Sequence, residues 1–419
     1  MAKTIREKCE LLRKSPKMET LFYLSVDDES RLAQSYCFDG KETRKSFGEL
    51  KNEALCYGKY ISERLGKEGG FLALQSDTCP EFFALFWGSI MAGFDVVLFD
   101  YSLDDEKTRQ LIVETGAKHI IANKSYPFVN SLLISEIREN AKSLDYFVPK
   151  FARKAALCTS GTTGESRIFV YSEHELCMQV LNTELLYSKG RSIVSDRQKT
   201  SLAFLPFHHI FGFMTMLLWC HFLGYENVYL KNRSPECILE NCQKYKVDLL
   251  ITVPLLINNV CLGISKKAKN AGKGKFVMFQ LLKGISLFLQ AISPSLGIFV
   301  AKNLLFSKYL KKLFGKKLSC IILGGSHTPN EHLRTINALG YNTVVGFGMT
   351  EIAISSVETS KSLFPRINGS CGRPLASAEY NIVGKGRTGE LCVKGNTLHT
   401  KRLKNGVEIP PERDSEGFF

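Results

Sequence analysis

No two of the 13 cysteines form a C-x-x-C pair, and no His/Cys/carboxylate run has metal-site spacing. That excludes a zinc finger or ribbon and a thioredoxin-type redox motif. The cysteines are odd in number and scattered, so a disulfide framework is not expected either. The N-terminus, MAKTIREKCELLRKS, is charged throughout where a secretory leader needs an apolar core, and a reduced, cytoplasmic setting is expected. Fixed-period repeats, low-complexity tracts and nucleic-acid motifs are missing, which sets aside solenoids, disordered chains and nucleic-acid partners. A clean membrane span is missing too. Gly284 to Ala301 is uncharged, but Pro294, two glycines and four polar residues dilute it. It reads as a buried or interfacial helix pair. Thr200 to Tyr225 holds three histidines and reads as core.

What is present is a chain of 419 residues, 44% hydrophobic and 23% charged, long enough for two or three packed subdomains. The net charge of +14 is uneven. It concentrates in KKAKNAGKGK (Lys266 to Lys275), SKYLKKLFGKK (Ser307 to Lys317) and KRLK (Lys401 to Lys404). A solvated charged face is the default for any one cluster. Taken together, the first two suggest peripheral contact with an anionic membrane.

Phe71 to Asp100 reads strand, helix, strand, with Gly93 ending the helix, and Ala117 to Ser125 adds a strand after a helix over Asp104 to Glu114. TSLAFLP, NVYLK, VDLLITVP and KLSCIILGGS continue the alternation. Strands alternating with helices predict parallel sheets with helices on both faces. From about Cys371 the pattern becomes period-two around a Gly-Lys-Gly turn, which predicts a small antiparallel β subdomain. The expected division is 1–155, then 156–345 with a basic helical insertion at 261–316, then 346–419.

Ligands of parallel α/β sheets bind beyond the carboxyl ends of strands. Four loops stand there: Thr159-Ser160-Gly161-Thr162-Thr163-Gly164, Pro206-Phe207-His208-His209, Gly324-Gly325-Ser326, and Gly346-Phe347-Gly348-Met349-Thr350-Glu351. The first offers hydroxyls and glycine backbone N–H groups suited to an anion, yet Gly164 is followed by Glu165-Ser166-Arg167 and not by the P-loop lysine. A Ser/Thr/Gly hairpin without a ligand is an equal reading of that loop alone.

The ordered set resembles the adenylate-forming superfamily, whose members activate carboxylic acids as acyl-AMP. Thr159 to Gly164 is similar to the family's T-S-G-T-T-G, Pro206 to Gly212 to P-L-F-H-x-F-G, and Gly346 to Glu351 to G-Y-G-x-T-E. GSCGRPL (Gly369 to Leu375) and TGELCVKG (Thr388 to Gly395) match two further motifs in order. The lysine-rich, apolar stretch before Gly324 resembles the long-chain fatty acyl-CoA synthetases, which implies a long-chain acid.

The resemblance implies two parallel-sheet α/β subdomains packed in layers with a small β subdomain, ATP and magnesium as cofactors, and coenzyme A or a carrier-protein thiol as acceptor. It implies that the loop Thr159 to Gly164 holds the outer phosphates with Arg167, which replaces the family lysine. Gly324, Gly325 and Ser326 would lie along the nucleotide, and Phe347 would pack on adenine between Gly346, Gly348 and Met349. Thr350 would contact the α-phosphate, Glu351 would hold magnesium, and His209 would approach the acyl carboxylate. His208 departs from the family pattern. Phe211, Phe213 and Met216 are candidates for an acyl tunnel, with core packing the blander role. DSEGFF (Asp414 to Phe419) is similar to the first half of a family segment whose last aspartate binds ribose. The small C-terminal domain with the adenylating lysine is therefore expected to lie outside this chain, and this chain alone to turn over poorly. A nucleotide- or acyl-binding protein without turnover is the non-enzymatic alternative.

Overall fold

A computed structural model describes residues 3–66, 69–143, 146–160, 166–190, 193–384 and 388–419, with only the backbone of Ser160 and Ser166. Gly161, Thr162, Thr163 and Gly164, and the turn of the last predicted hairpin at 385–387, lie outside the described residues.

The strands expected from the alternating pattern form two large sheets. The first runs, in spatial order, Ala353–Val357, Asn342–Met349, Cys320–Leu323, Leu249–Thr252, Thr200–Ala203, Glu226–Tyr229, Leu32–Phe38 and Lys41–Ser46. Its interior pairs are parallel, and only its two outermost pairs are antiparallel. The second runs Val407–Ile409, Lys401–Lys404, Ser166–Ser172, Lys154–Ser160, Asp95–Phe99, Phe71–Gln75, His119–Ala122 and Asn130–Leu133. Phe71–Gln75 and Asp95–Phe99 are the predicted βαβ pair, parallel through the helix Phe82–Met91. Ala378–Val383 and Glu390–Gly395 make the small antiparallel sheet. The fold class read from the sequence is the one observed.

The division along the chain differs from the expected one. The boundary at 155/156 falls inside the strand Lys154–Ser160, and Leu32–Ser46 joins the sheet built mainly from 200–357. Lys401–Lys404 crosses back to pair with Ser166–Ser172. Side-chain patterning states which faces are buried, but not which distant strand completes a ladder.

The core lies between the sheets. One cluster joins Leu98, Leu157 and Phe169 of the second sheet to Leu202, Leu250 and Ile322 of the first. Residues one step along the same strands, Val97, Ala156 and Ile168, fill a separate cluster on the opposite face. Every residue of Phe82–Met91 is buried, as a helix apolar all round requires. It crosses Phe47–Leu65 where Gly58 meets Gly88, and a Cβ on Gly88 would lie 2.9 Å from the Gly58 nitrogen.

The stretch Gly284 to Ala301 forms parts of the helices Lys273–Ile292 and Pro294–Val300. The buried alternative for it is not what the structure shows, because most of its apolar side chains are open to solvent.

Candidate functional site

The hairpin of Lys154–Ser160 and Ser166–Ser172 carries the predicted phosphate loop at its tip. Thr159 pairs with Arg167, and the Thr159 hydroxyl donates to the Arg167 carbonyl at 3.4 Å. Arg167 is exposed. Its side chain shares one strand face with Phe169 and Tyr171, because residues two apart point the same way. Tyr171 is buried, and its hydroxyl donates 2.5 Å to the backbone carbonyl of Thr350. Burial first, and then the nearby Glu351 carboxylate, push the Tyr171 phenol well above its ordinary value. The strand that leads from the first predicted loop is thus joined to the fourth loop, far away in sequence.

The Gly346–Glu351 segment is the end of Asn342–Met349 and the turn that follows it. A bulge between Phe347 and Gly348 shifts its pairing with Ala353–Val357. Gly348 is required there: a Cβ would lie 2.3 Å from the Ala353 carbonyl oxygen. Ala353 itself has φ 54°, a left-handed conformation that costs a non-glycine residue about 1 kcal/mol or more. Phe347 is half-buried against the small β subdomain, beside Tyr380 and Phe419. From the other side His399, fully buried, donates from Nδ1 to the Glu351 carbonyl at 2.7 Å, and its own backbone N–H reaches the same oxygen at 3.2 Å. Burial lowers the His399 imidazole to about 4 even though that hydrogen bond favours the cation. It is therefore neutral at pH 7.

The third loop meets the fourth through Phe211. Its ring lies against Gly324, where a Cβ would be 2.9 Å from Cζ. The short helix Ile210–Gly212 also packs on Asn342–Met349 and Ala353–Val357. Gly325, in the left-handed region at φ 90°, and Ser326 are exposed beyond that contact. Of the tunnel candidates only Phe211 stands at this junction. Phe213 and Met216 are wholly buried, Phe213 edge-on to Phe86, and they are core. They begin a π-helical stretch, Phe213–Trp219, whose Met216 and Leu217 carbonyls are met by His221 and Asn227.

The histidine pair divides its roles. His208 is buried, with Nε2 3.6 Å from Asp100, and burial and then His209 bring it down to about 4 while Asp100 opposes them. His209 is exposed beside it, with ring centroids 4.3 Å apart. His209 is thus the member of the pair open to a ligand.

Among the described residues no group of three or more His, Cys, Asp or Glu could hold a metal ion. The one predicted ligand, Glu351, fits a magnesium ion held by a single carboxylate and substrate phosphates. Tyr171, His399 and Asp100 were not singled out in the sequence. Tyr171 was reachable, lying four residues along the strand from Arg167, and Asp100 directly follows the carboxyl end of the parallel strand Asp95–Phe99. His399 carried no signal.

A family model described as AMP-binding enzyme matches residues 27–400. The chain belongs to the AMP-binding enzyme family. Among its relatives, 4-coumarate-CoA ligase 2 of Narcissus pseudonarcissus is 22% identical over 92% of this chain and 68% of its own length. Long chain acyl-CoA synthetase 6, peroxisomal, of Arabidopsis thaliana is 24% identical over 69% of this chain and 41% of its own. The matched region is 38% to 43% of the length of four of the curated relatives. In fold the chain is similar to ATP bound MatB from Rhodopseudomonas palustris, with a TM-score of 0.72 and 16% identity over 95% of this chain and 74% of that one. The matched region takes in most of the two parallel-rich sheets and the small β unit.

Proposed function

We propose that this chain carries the acid-activating site of an AMP-forming acid–thiol ligase. The observation that carries the reading is the junction at Thr350, where the Arg167 hairpin and the turn bearing Glu351 are fastened by Tyr171. An anionic phosphate chain and an anionic acid must meet in such a site. The fixed donors and cations there lower their repulsion before reaction begins.

In the proposed reaction an oxygen of the substrate carboxylate bonds to the α-phosphorus of ATP. The bond from that phosphorus to the bridging oxygen breaks, and pyrophosphate leaves with the electron pair. A thiolate sulfur then bonds to the acyl carbon and AMP departs; the relatives named as CoA ligases favour coenzyme A as the thiol. Arg167, with Thr159, Ser160, Gly161, Thr162, Thr163 and Gly164, holds the outer phosphates. Thr350 donates to the α-phosphate, Phe347 with Gly346, Gly348 and Met349 borders adenine, and Gly324, Gly325 and Ser326 let the nucleotide lie close to backbone. His209 faces the acid. Glu351 would hold magnesium, which when bound would neutralise phosphate charge.

We further propose a long-chain fatty acid as the substrate. The support is the long-chain acyl-CoA synthetases among the relatives and the lysine-rich, apolar stretch of sequence before Gly324. The test is equilibrium binding of non-hydrolysable acyl-adenylate mimics with acyl chains from two to sixteen carbons. A rise of about 0.8 kcal/mol per buried CH₂, ending in a plateau, is expected. Affinity independent of chain length would remove the long-chain assignment.

A further inference from the structure

The C-terminal half of the helix Lys273–Ile292 is built inside out. Its first half is anchored by Phe279, buried against Phe306. Beyond it the protein-facing contacts are polar: Ser286 donates to the Ala338 carbonyl at 2.6 Å, Gln290 to the Asn337 carbonyl at 2.8 Å, and Lys283 to the Thr335 hydroxyl at 2.9 Å. The solvent-facing side is largely apolar. Val277, Leu281, Ile285, Phe288 and Ile292 recur at three- and four-residue spacing, so they form one stripe, and Phe288 and Ile292 are 66% and 69% exposed. The next helix continues the face. Gly297 packs on Gln290 with no room for a Cβ, closing a tight helical hairpin, and Leu296, Phe299 and Leu304 are exposed along it. Single exposed apolar residues are ordinary; a continuous stripe across two helices marks an interaction surface.

The segment that carries the stripe holds charge of one sign. Between Asp248 and Glu331 the chain has twelve lysines and no aspartate or glutamate. Lys273 and Lys275 stand in the first turn of the helix, where the macrodipole disfavours cations, so helix stability does not account for them. Lys266, Lys267 and Lys269 precede them, and Lys308, Lys311 and Lys312 follow the hairpin; all are exposed.

We propose that the hairpin formed by Lys273–Ile292 and Pro294–Leu305 is a bilayer-docking surface that lies in the plane of an anionic membrane, with its apolar stripe in the acyl boundary and its lysines on headgroups. The proposal is independent of which acid the site activates. A second copy of the chain does not suit this face, because a twofold contact would bring lysines onto lysines. A spanning helix does not suit it either. By length and composition Lys273–Ile292 could cross a membrane, but insertion would break the three hydrogen bonds that hold its polar face to Asn330–Ala338.

The experiment is sedimentation of the protein with vesicles of phosphatidylcholine alone, or mixed three to one with phosphatidylglycerol. Binding to the mixed vesicles should exceed binding to the neutral ones at least tenfold and weaken with salt. Replacing Lys266, Lys267 and Lys269 together by glutamine should lower it on the order of a hundredfold. Leu281→Ser, Phe288→Ser and Ile292→Ser combined should abolish retention at high salt while the melting temperature stays unchanged. A Phe288→Trp probe should be quenched by lipids brominated near the headgroups more than by those brominated at the chain ends. No preference for anionic vesicles, or binding that the triple serine variant leaves intact, would overturn the proposal. So would dimerisation in solution that the serine variant removes, since a second copy would then cover the face.

Discussion

Tyr171 Oη and the Thr350 carbonyl oxygen are 2.5 Å apart, 179 residues from one another in sequence. This hydrogen bond, with those from His399 to the Glu351 carbonyl, holds the Thr350–Glu351 turn against the strand that presents Arg167. Tyr171→Phe leaves the carbonyl without this partner and keeps the ring. A loss of about 1–3 kcal/mol of stability is expected, read by guanidinium denaturation. Affinity for an adenylate mimic should fall as well, and a variant that loses stability but binds normally would show that the turn is positioned without it.

Arg167 is exposed, so its removal should leave stability within about 0.5 kcal/mol. Its proposed role is to meet phosphate oxygens by charge-assisted hydrogen bonds, each worth about 1.5–3 kcal/mol. Arg167→Ala should therefore weaken ATP binding by roughly tenfold to a hundredfold and leave AMP binding nearly unchanged. Arg167→Lys should recover part of the loss. Calorimetric titration with the two nucleotides separates these outcomes.

Gly348→Ala sets a Cβ 2.3 Å from the Ala353 carbonyl, at a bulge next to the Met349–Ala353 pair, whose Ala353 is already in the left-handed region. The expected cost is about 1–3 kcal/mol, with loss of mimic binding because Phe347 and Thr350 flank the distortion. Gly284→Ala is the control, since an added Cβ there meets nothing within 4 Å in an exposed helix. It should stabilise the fold by about 0.5–1 kcal/mol.

Two buried histidines, with His208 beside Asp100 as a third, set an acid limit. His221 donates from Nδ1 to the Leu217 carbonyl and His399 from Nδ1 to the Glu351 carbonyl, and neither Nε2 has a partner. Burial lowers both to about 4 from an ordinary 6.5. The unfolded chain therefore binds more protons than the folded one between those values. Stability is complete above pH 6.5 and declines as pH falls toward 4, by up to about 3 kcal/mol for each histidine. Denaturation midpoints at pH 7, 6, 5 and 4.5 should fall along this course, and His399→Gln should flatten it. An unchanged slope in that variant would contradict the assignment to His399.

Much of the fold was legible because local patterns agree with it. Phe71–Gln75, Phe82–Met91 and Asp95–Phe99 follow directly from an apolar run, a helical spacing and a glycine at φ 95°. The partner of each strand was less legible. Leu32–Phe38 completes a sheet with Glu226–Tyr229, and Lys401–Lys404 with Ser166–Ser172, through ladders between segments that carry no mark of each other. The site divides in the same way. Thr350, Glu351 and Arg167 were visible as residue types after strands, whereas His399 acts through its backbone and one ring nitrogen from a segment with no distinctive pattern. The stretch Gly284 to Ala301 left a buried and an interfacial reading open for a physical reason: its apolar spacing suits either, and only the fold shows which face is turned outward.

The most direct test of the central claim compares three ligands on the unaltered chain: AMP, a twelve-carbon fatty acid, and a non-hydrolysable mimic joining the two. If nucleotide and acid sites adjoin at Thr350, the joined molecule pays the entropy of binding once and should bind at least a hundredfold tighter than either half. Affinity no better than that of the stronger half would mean that the two sites do not meet, and the account of an acid-activating centre would be wrong.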